Sequence, residues 1–329
     1  MLIYAKYLMT VFKMLILIFI IVEIVYLIKY IYLNIKKYVF TNEINFEERY
    51  GKNTWVLITG CSSGQGLRFA HEFAKRNFNI ILVGNKKILN VENDIKNRYN
   101  VKTRTCITNF CKAYKKSYFD KIDKLLNNLD GELSILVNNV GHRTAWQAYH
   151  TMPKQTIIDT IVCGTVVQSL FTHIAINHFE KRDKKYKSCI INITAMCLTP
   201  PLWVGAMNHI SVPYLSVYES ANAFGYFHSN SIQKEYAKYI DVLNITPAAV
   251  ITENTPYLED IIGSVNCKHY VKNIFKLIGN YTGPQHAYWK HELFGFLSNF
   301  IDTDTILYNT GKLVSENYMM SYNFKNSTN

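Results

Sequence analysis

The chain has 329 residues, of which 49% are hydrophobic, and a formal net charge of +12. This length and composition fit one large globular domain with appendages and exclude a disordered chain. The seven cysteines contain no CxxC pair, which argues against a disulfide framework or a zinc site and predicts reduced thiols and no metal. Scattered lysines carry the charge, and a solvated surface explains them better than attraction to anionic lipid headgroups or ligand phosphates. No nucleic-acid-binding module is visible.

The first predicted element is a membrane helix. Met14 to Ile28 is apolar except for Glu23, and with its flanks the run reaches about 20 residues, enough to cross a bilayer. A carboxylate near the membrane centre costs about 2.5–3.5 kcal/mol, so a hairpin or an interfacial helix stays open as an alternative. No small-residue cleavage site follows the run, which favours an uncleaved anchor over a signal peptide. Three lysines follow it and two precede it, which places the large domain in the cytosol.

A glycine turn comes next. Thr54 to Ile58 reads as a buried strand, and apolar residues recur at helical spacing from Leu67 to Ala74. Between them lies Thr59-Gly-Cys-Ser-Ser-Gly-Gln-Gly66. A strand, a glycine turn and a helix direct backbone N–H groups at a pyrophosphate. The pattern therefore predicts dinucleotide binding, and an ordinary loop with three glycines is the alternative.

Further buried strands alternate with helical stretches along the chain. They are predicted at Asn79–Val83, Leu133–Val137, Cys189–Ile193 and Ile240–Ile245. Such alternation is typical of a parallel sheet covered by helices on both faces. The sequence thus predicts an α/β fold, with a Rossmann-like doubly wound parallel sheet in a single domain, preceded by a membrane helix.

The order of motifs resembles that of the short-chain dehydrogenase/reductase family. The glycine turn is followed by Asn138-Asn-Val-Gly141, then by a helix containing Tyr218, then by Pro247-Ala-Ala-Val-Ile-Thr252. Within the family, the chain is similar to membrane-bound very-long-chain 3-oxoacyl-CoA reductases and to 17β-hydroxysteroid dehydrogenases of types 3 and 12. Tyr270–Gly279 and Tyr288–Gly295 resemble the C-terminal helices of that group.

The resemblance covers roughly residues 45 to 305 and implies an organisation and a setting. It implies an anchor and linker at 1–44, a short-chain dehydrogenase/reductase domain at 45–285, and a helical extension with a polar tail at 286–329. It also implies residence in the endoplasmic reticulum membrane and a long-chain acyl-CoA or steroid-like substrate. The expected partners are a second copy, bound through helices near 160–180 and 218–237, or an elongase-type complex.

The resemblance also implies a set of cofactor contacts. The strand at Asn79–Val83 leads into Gly84-Asn-Lys-Lys87 without an acid, so NADP(H) is favoured over NAD(H), with Lys86 or Lys87 paired to the 2′-phosphate. Two solvated lysines in a turn are the alternative. The implied contacts are Thr59, Gly60, Ser62, Ser63, Gly64, Gln65, Gly66, Asn85, Lys86, Asn109, Asn138, Val140, Gly141, Tyr218 and Thr252.

The catalytic positions depart from the family pattern. Relatives use a tyrosine as proton donor, a serine as second donor, a lysine one helical turn after the tyrosine, and a relay asparagine. Tyr218 matches the tyrosine, but Ala195 stands at the serine, Asn222 at the lysine and, counting back from Gly164, Ile161 at the asparagine. Several losses in one catalytic unit predict severely impaired reduction.

An insertion offers a possible replacement for the missing groups. The segment between Ala195 and Tyr218 is longer than in relatives, and the extra residues fall within 198–210, where they would lie over the substrate pocket. His209, Ser211 or Tyr214 would then supply polar groups. Strand alternation turns the hydroxyl of Thr194 away from the pocket. Two hypotheses remain: a reductase of lipid metabolism with impaired or relocated catalysis, and a non-catalytic dinucleotide-binding scaffold or regulator at a membrane.

Overall fold

A seven-stranded parallel sheet forms the centre of the protein. The computed structural model describes residues 2–141, 144, 146–196, 198–199, 208–209, 212–253, 255, 258–259, 262–298, 305–313 and 315–316. The sheet strands are β1 (Trp55–Thr59), β2 (Asn79–Gly84), β3 (Thr103–Ile107), β4 (Leu133–Asn138), β5 (Ser188–Ile193), β8 (Ile240–Ile245) and β11 (Gly283–Gln285). Their order is β11-β8-β5-β4-β1-β2-β3. Two short pairs lie outside it, β6 (Leu198–Thr199) with β7 (Asn208–His209), and β9 (Val250–Ile251) with β10 (Val265–Asn266).

Helices connect these strands and extend the chain at both ends. They are α1 (Leu2–Ile35), α2 (Phe46–Tyr50), α3 (Gly64–Ala74), α4 (Ile88–Arg98), α5 (Asp120–Asn127), α6 (Lys154–Ile161), α7 (Val167–Phe179), α8 (Ser216–Tyr236), α9 (Cys267–Leu277) and α10 (Trp289–Leu297). Two π-helical turns occupy Lys36–Phe40 and Val162–Val166. Three 3₁₀ turns occupy Phe110–Lys112, Lys116–Tyr118 and Tyr149–Thr151, and residues 305–313 are helical.

Both faces of the sheet are buried. One face packs against α3 and α9 through an aromatic cluster that includes Phe69, Phe73 and Phe275. The other face packs against α7, where Phe171 is fully buried. Parallel strands covered on both sides read as continuous apolar runs, which is why the sequence revealed most of them. The predicted doubly wound parallel fold is confirmed.

The N-terminal helix is exposed along its length. Tyr4–Phe40 has a mean hydropathy of 2.8 over its most apolar window, none of which is buried, and is long enough to cross a membrane. Lys154–Phe179 passes the same test of length and composition. Within it, α7 belongs to the core, because its buried side chains pack against the sheet.

A buried ion pair fixes the end of α1 to the domain. The Lys37 ammonium lies 2.6 Å from Oε2 of Glu292 in α10, and both side chains are buried. The Tyr30 and Tyr38 hydroxyls donate hydrogen bonds to the two oxygens of the same carboxylate. Burial alone would raise the pKa of Glu292, but the charge of Lys37 and the hydrogen bonds from Lys37 and Tyr30 hold it below its usual value. We call Lys37, Glu292, Tyr30 and Tyr38 the anchor junction.

Candidate active site

The glycine turn adopts a conformation that requires its glycines. Gly60 and Gly64 have left-handed φ angles of 67° and 55°, which favour residues without a Cβ. A Cβ on Gly66 would lie 2.4 Å from the Gly60 carbonyl oxygen, so α3 packs directly on the end of β1. Ser63 precedes the first residue of α3 in an extended conformation. The N-terminus of α3 therefore lies at the turn, as phosphate binding requires.

Asn139 stabilises the turn, a role that the sequence analysis did not assign. Its Nδ2 group donates to the carbonyl oxygens of Thr59 and Gly60, and its backbone N–H donates to Oγ1 of Thr59. Asn138, predicted as a cofactor contact, is instead buried and donates to Thr172 and Asn192. Successive side chains on a strand point to opposite faces. Asn138 therefore supports the strand ends and does not line the cleft.

A groove of about 540 Å³ runs along the turn. Most predicted cofactor residues line it: Gly60, Ser62, Ser63, Gly64, Gln65, Asn85, Asn109, Val140, Gly141 and Thr252. Thr59 and Gly66 lie beneath it, where they shape the turn. The Oδ1 atoms of Asn85 and Asn109 accept backbone N–H groups of Lys87 and Cys111, which orders both rims. The groove thus has the position and the backbone donors that a dinucleotide needs.

Cations surround a depression next to Ser62. Its volume is about 480 Å³, and Arg68, Lys87, Arg98 and Lys268 line it together with Ser62, as do the carboxylates of Glu72 and Asp94, which form ion pairs with Arg76 and Arg98. Lys86 is exposed and does not line it, so of the two lysines that the sequence proposed, Lys87 faces this space. A phosphate near the second strand would meet positive charge there.

Two cysteines lie in the groove wall. The Sγ atoms of Cys111 and Cys163 are 3.7 Å apart, too far for a disulfide bond. Burial raises the pKa of both thiols. All six cysteines in the described part of the chain are free, as predicted, and Cys197 lies outside it.

A second, mostly apolar cleft of about 550 Å³ adjoins the groove. Gln65, Asn139, Val140, Gly141 and Thr252 line both spaces. The Oε1 atom of Gln65 is buried and has no hydrogen-bond partner among the described residues. The Thr252 hydroxyl is 2.8 Å from that of Thr255. A ligand in the groove and a ligand in the cleft would therefore meet at Gln65 and Thr252.

Tyr218 and Asn222 lie one helical turn apart on α8, and both line the cleft. The Asn222 Nδ2 group donates a 2.8 Å hydrogen bond to the Tyr218 backbone carbonyl. A lysine at this position would carry an ammonium on a four-carbon chain. The shorter asparagine instead directs one of its N–H groups to its own helix, so position 222 supplies no positive charge to the cleft.

The strand opposite Tyr218 supplies no hydroxyl to the cleft. Ala195 lines it but has no polar side-chain atom. The Thr194 hydroxyl is buried and donates to Oδ1 of Asn244 at 3.1 Å, with a longer contact to the Ile245 carbonyl. The expectation that strand geometry turns this hydroxyl away is confirmed.

Ile161, predicted to replace the relay asparagine, does not face the cleft. Its side chain is 44% exposed and does not line the cleft, whereas Thr160 and Gly164 do. The π-helical turn at Val162–Val166 follows directly after Ile161. Gly164 itself packs against α8, since a Cβ there would be 2.7 Å from that of Ala221.

The insertion lies mostly outside the described residues. Leu198–Thr199 and Asn208–His209 pair antiparallel, while residues 200–207 and 210–211, including Ser211, are not described. Tyr214 adopts a left-handed φ of 70° and packs against Gly311 and Tyr308. It does not line the cleft. The cleft residues that sequence reasoning missed include Trp146, Phe294 and Leu307.

Glu219 gives this region a dependence on pH. Burial raises its pKa to about 7, against the opposing effect of the Val212 N–H that its carboxylate accepts. The pKa of Glu219 is higher in the folded protein than in the unfolded chain. The stability that its protonated carboxyl contributes is therefore complete below the usual value of 4.5 and is lost as pH rises through about 7. Glu219→Gln stays neutral, so its melting temperature relative to wild type should rise between about pH 5 and pH 8. Thermal unfolding of both proteins across this pH range tests the prediction, and a melting-temperature difference that does not change with pH would contradict it.

Comparisons with known proteins agree with this architecture. A sequence profile of the short chain dehydrogenase family matches residues 54–261. The very-long-chain 3-oxoacyl-CoA reductase of Mus musculus is 29% identical over 267 residues, covering 79% of this chain and 78% of the relative. Hydroxysteroid dehydrogenase-like protein 1 of Gallus gallus is 31% identical over 216 residues, covering 64% of this chain and 59% of the relative.

Solved structures share the fold. A 7beta-hydroxysteroid dehydrogenase superposes with a TM-score of 0.67 at 17% identity, covering 82% of this chain and all of that one. A short-chain dehydrogenase from Sphingobium yanoikuyae in complex with NADPH gives a TM-score of 0.59 at 18% identity, covering 71% of this chain and 87% of that one. The profile match spans more than half of the sequence and includes the glycine turn, the Asn-Asn-Val-Gly motif and Tyr218. The chain therefore belongs to the short-chain dehydrogenase family.

Proposed function

We propose that the protein is a membrane-anchored, NADP(H)-binding reductase of the very-long-chain 3-oxoacyl-CoA or 17β-hydroxysteroid type, with impaired catalysis. The observation that carries this proposal is the meeting of the groove and the apolar cleft at Gln65 and Thr252, with Tyr218 in the cleft. The relatives named as 3-oxoacyl-CoA reductases supply the substrate class. A cleft lined mainly by apolar side chains suits a ligand with a long hydrocarbon chain.

The proposed cofactor fits the residues that are present. The left-handed Gly60 and Gly64 and the N-terminus of α3 would hold the pyrophosphate. The basic side chains near Ser62 favour the 2′-phosphate of NADP(H). Thr252 would hold the carboxamide of the nicotinamide. When bound, NADP(H) supplies a hydride. Tyr218 would donate a proton to the developing alkoxide, without a second hydroxyl at position 195 or an ammonium at position 222.

The setting is proposed as the endoplasmic reticulum membrane with the domain in the cytosol. The exposed apolar α1 and the similarity to very-long-chain 3-oxoacyl-CoA reductases support it. A homodimer through α7 and α8 is proposed because apolar side chains are exposed on these helices, among them Leu170, Phe224 and Phe227. An elongase-type complex is the other proposed assembly.

The second candidate is a non-catalytic dinucleotide-binding scaffold or regulator at the membrane. It is favoured by the Asn222 amide, which is hydrogen-bonded to the backbone of its own helix, and by the Thr194 hydroxyl, which is bonded to Asn244. Both candidates share the cofactor and the membrane. They differ in whether Tyr218 completes a proton transfer.

Cofactor choice tests the binding part of the proposal. Lys87→Ala should weaken NADPH binding about tenfold or more while leaving NADH binding unchanged, because a charge-assisted contact contributes about 1.5–3 kcal/mol. Lys96→Ala is the matched control, since Lys96 lies on α4, the helix that Lys87 directly precedes, but pairs with Glu92. Dissociation constants of NADPH and NADH, measured by nucleotide fluorescence titration for wild type and both variants, test this prediction. Equal losses for NADPH and NADH would contradict the assignment of the depression to the 2′-phosphate.

A further inference from the structure

Helix α10 lies against the anchor helix and runs back towards its apolar part. The Tyr38 hydroxyl also lies 2.8 Å from the His286 carbonyl oxygen, just before α10, and Glu292 contacts Lys37 and Tyr30. One turn further along α10, Phe296 stacks on the Tyr30 ring with centroids 5.3 Å apart. From the start of α10 to its end, the contacts therefore move from Tyr38, in the π-helical turn after α1, back to Tyr30 on α1. Its C-terminal end is the end nearest to the predicted membrane span.

The outer face of α10 is apolar. Trp289, Leu293 and Leu297 recur every four residues, so they share one face, and they are 51%, 44% and 42% exposed. The opposite face, with His291, Glu292 and Gly295, is buried in the protein. Single exposed apolar residues are common on soluble proteins. A stripe of three along a helix that is fixed to a membrane span is continuous with the apolar surface of that span.

The apolar cleft reaches the surface of the protein beside this stripe. Phe294, next to Leu293, lines the cleft and is itself 47% exposed. Leu307, from the helical segment 305–313, lines the same cleft, and its neighbour Ile306 is exposed. The cleft therefore opens between two helical segments with apolar outer side chains.

We propose that Trp289, Leu293 and Leu297 insert into the leaflet that α1 enters, so that the cleft opens onto lipid. This inference rests on the proposed membrane anchoring and adds an orientation to it. The anchor junction supplies the rigid connection, and a tryptophan with a lysine beside it, Trp289 and Lys290, suits the headgroup level. A ligand with a long apolar chain then passes from the bilayer into the cleft past Phe294 without exposing that chain to water.

The test adds one tryptophan probe at a time to the full-length protein, which keeps its other three tryptophans, reconstituted into phosphatidylcholine vesicles. In a Trp289→Phe background, Leu297→Trp reports on α10. Leu89→Trp is the matched control, because Leu89 is an exposed leucine on α4, which follows β2 near the opposite edge of the sheet. Spectra of the background protein are subtracted, and lipids brominated along the acyl chain serve as quenchers. The expected result is strong quenching and a blue shift at position 297, with neither at position 89.

Each outcome has a distinct meaning. Failure of the protein to float with vesicles in a density gradient would contradict the proposed anchoring itself. Flotation with a position 297 probe that is quenched by aqueous iodide and not by bromolipid would overturn the orientation alone. Flotation with a probe that neither quencher reaches would also overturn it, since α10 would then be covered by protein, such as a second copy of this chain. Matching thermal unfolding of both probe variants shows that the substitutions preserve the fold.

Discussion

Ala195→Ser combined with Asn222→Lys is expected to raise the rate of NADPH oxidation with a long-chain 3-oxoacyl-CoA at least about 10²-fold. One lost oxyanion donor typically costs 10²–10³ in rate, and both positions line the cleft together with Tyr218. The serine would restore a donor to the developing alkoxide, and the lysine would restore a positive charge one turn from Tyr218. Steady-state absorbance at saturating NADPH measures the effect.

Three comparisons make that result decisive. Each single variant should gain less than the double variant, because catalytic groups that act as a unit do not add simply. Tyr218→Phe in the double-variant background should remove the gain. Rapid turnover by the wild type that Tyr218→Phe abolishes would contradict impaired catalysis and the scaffold reading together. NADPH binding without wild-type turnover would favour the scaffold.

Glu292→Ala is expected to lower the free energy of unfolding by about 3–5 kcal/mol, because it leaves a buried ammonium without its partner. Lys37 and Glu292 are both buried, and the Tyr30 hydroxyl loses its acceptor as well. Chemical denaturation in detergent micelles, followed by near-ultraviolet circular dichroism, measures the loss.

The matched controls separate burial from charge. Asp183→Ala breaks an exposed pair with Lys185 and should cost less than about 1 kcal/mol. The double substitution Lys37→Met with Glu292→Leu should recover most of the loss, because apolar residues of similar size often replace buried pairs without penalty. An equal loss for Glu292→Ala and Asp183→Ala would show that the anchor junction does not stabilise the protein.

The central strands of the sheet could be predicted from the sequence, and its edges could not. β1, β2, β4, β5 and β8 are buried on both faces and read as unbroken apolar runs. β3 alternates buried and exposed residues around Arg104, and β11 has three residues including Pro284. Edge strands carry weaker patterns because one side lacks a neighbour. β3 and β11 are strands because they pair with β2 and β8. Their own local sequences do not encode this pairing.

The candidate site, too, could be predicted from the sequence only in part. The glycine turn could be predicted because its backbone geometry demands particular residues at fixed spacing. The sequence placed Ile161 at the relay position but could not show that its side chain is exposed, next to a π-helical turn that no local pattern predicts. Phe294 and Leu307 reach the cleft from the C-terminal part of the chain, and only tertiary packing brings them there. Asn138 belonged to a predicted motif, but strand alternation turned it inward.

The anchor junction also bears on how this domain would meet other membrane proteins. A domain on a flexible tether turns freely, and each encounter must select one orientation from many. The pairing of Lys37 with Glu292 removes that freedom at the point where the chain leaves α1. Collisions within the bilayer plane would then present the same side of the domain each time, and less rotational entropy would be lost on association. Even weak lateral contacts would then suffice to hold a membrane partner beside the domain.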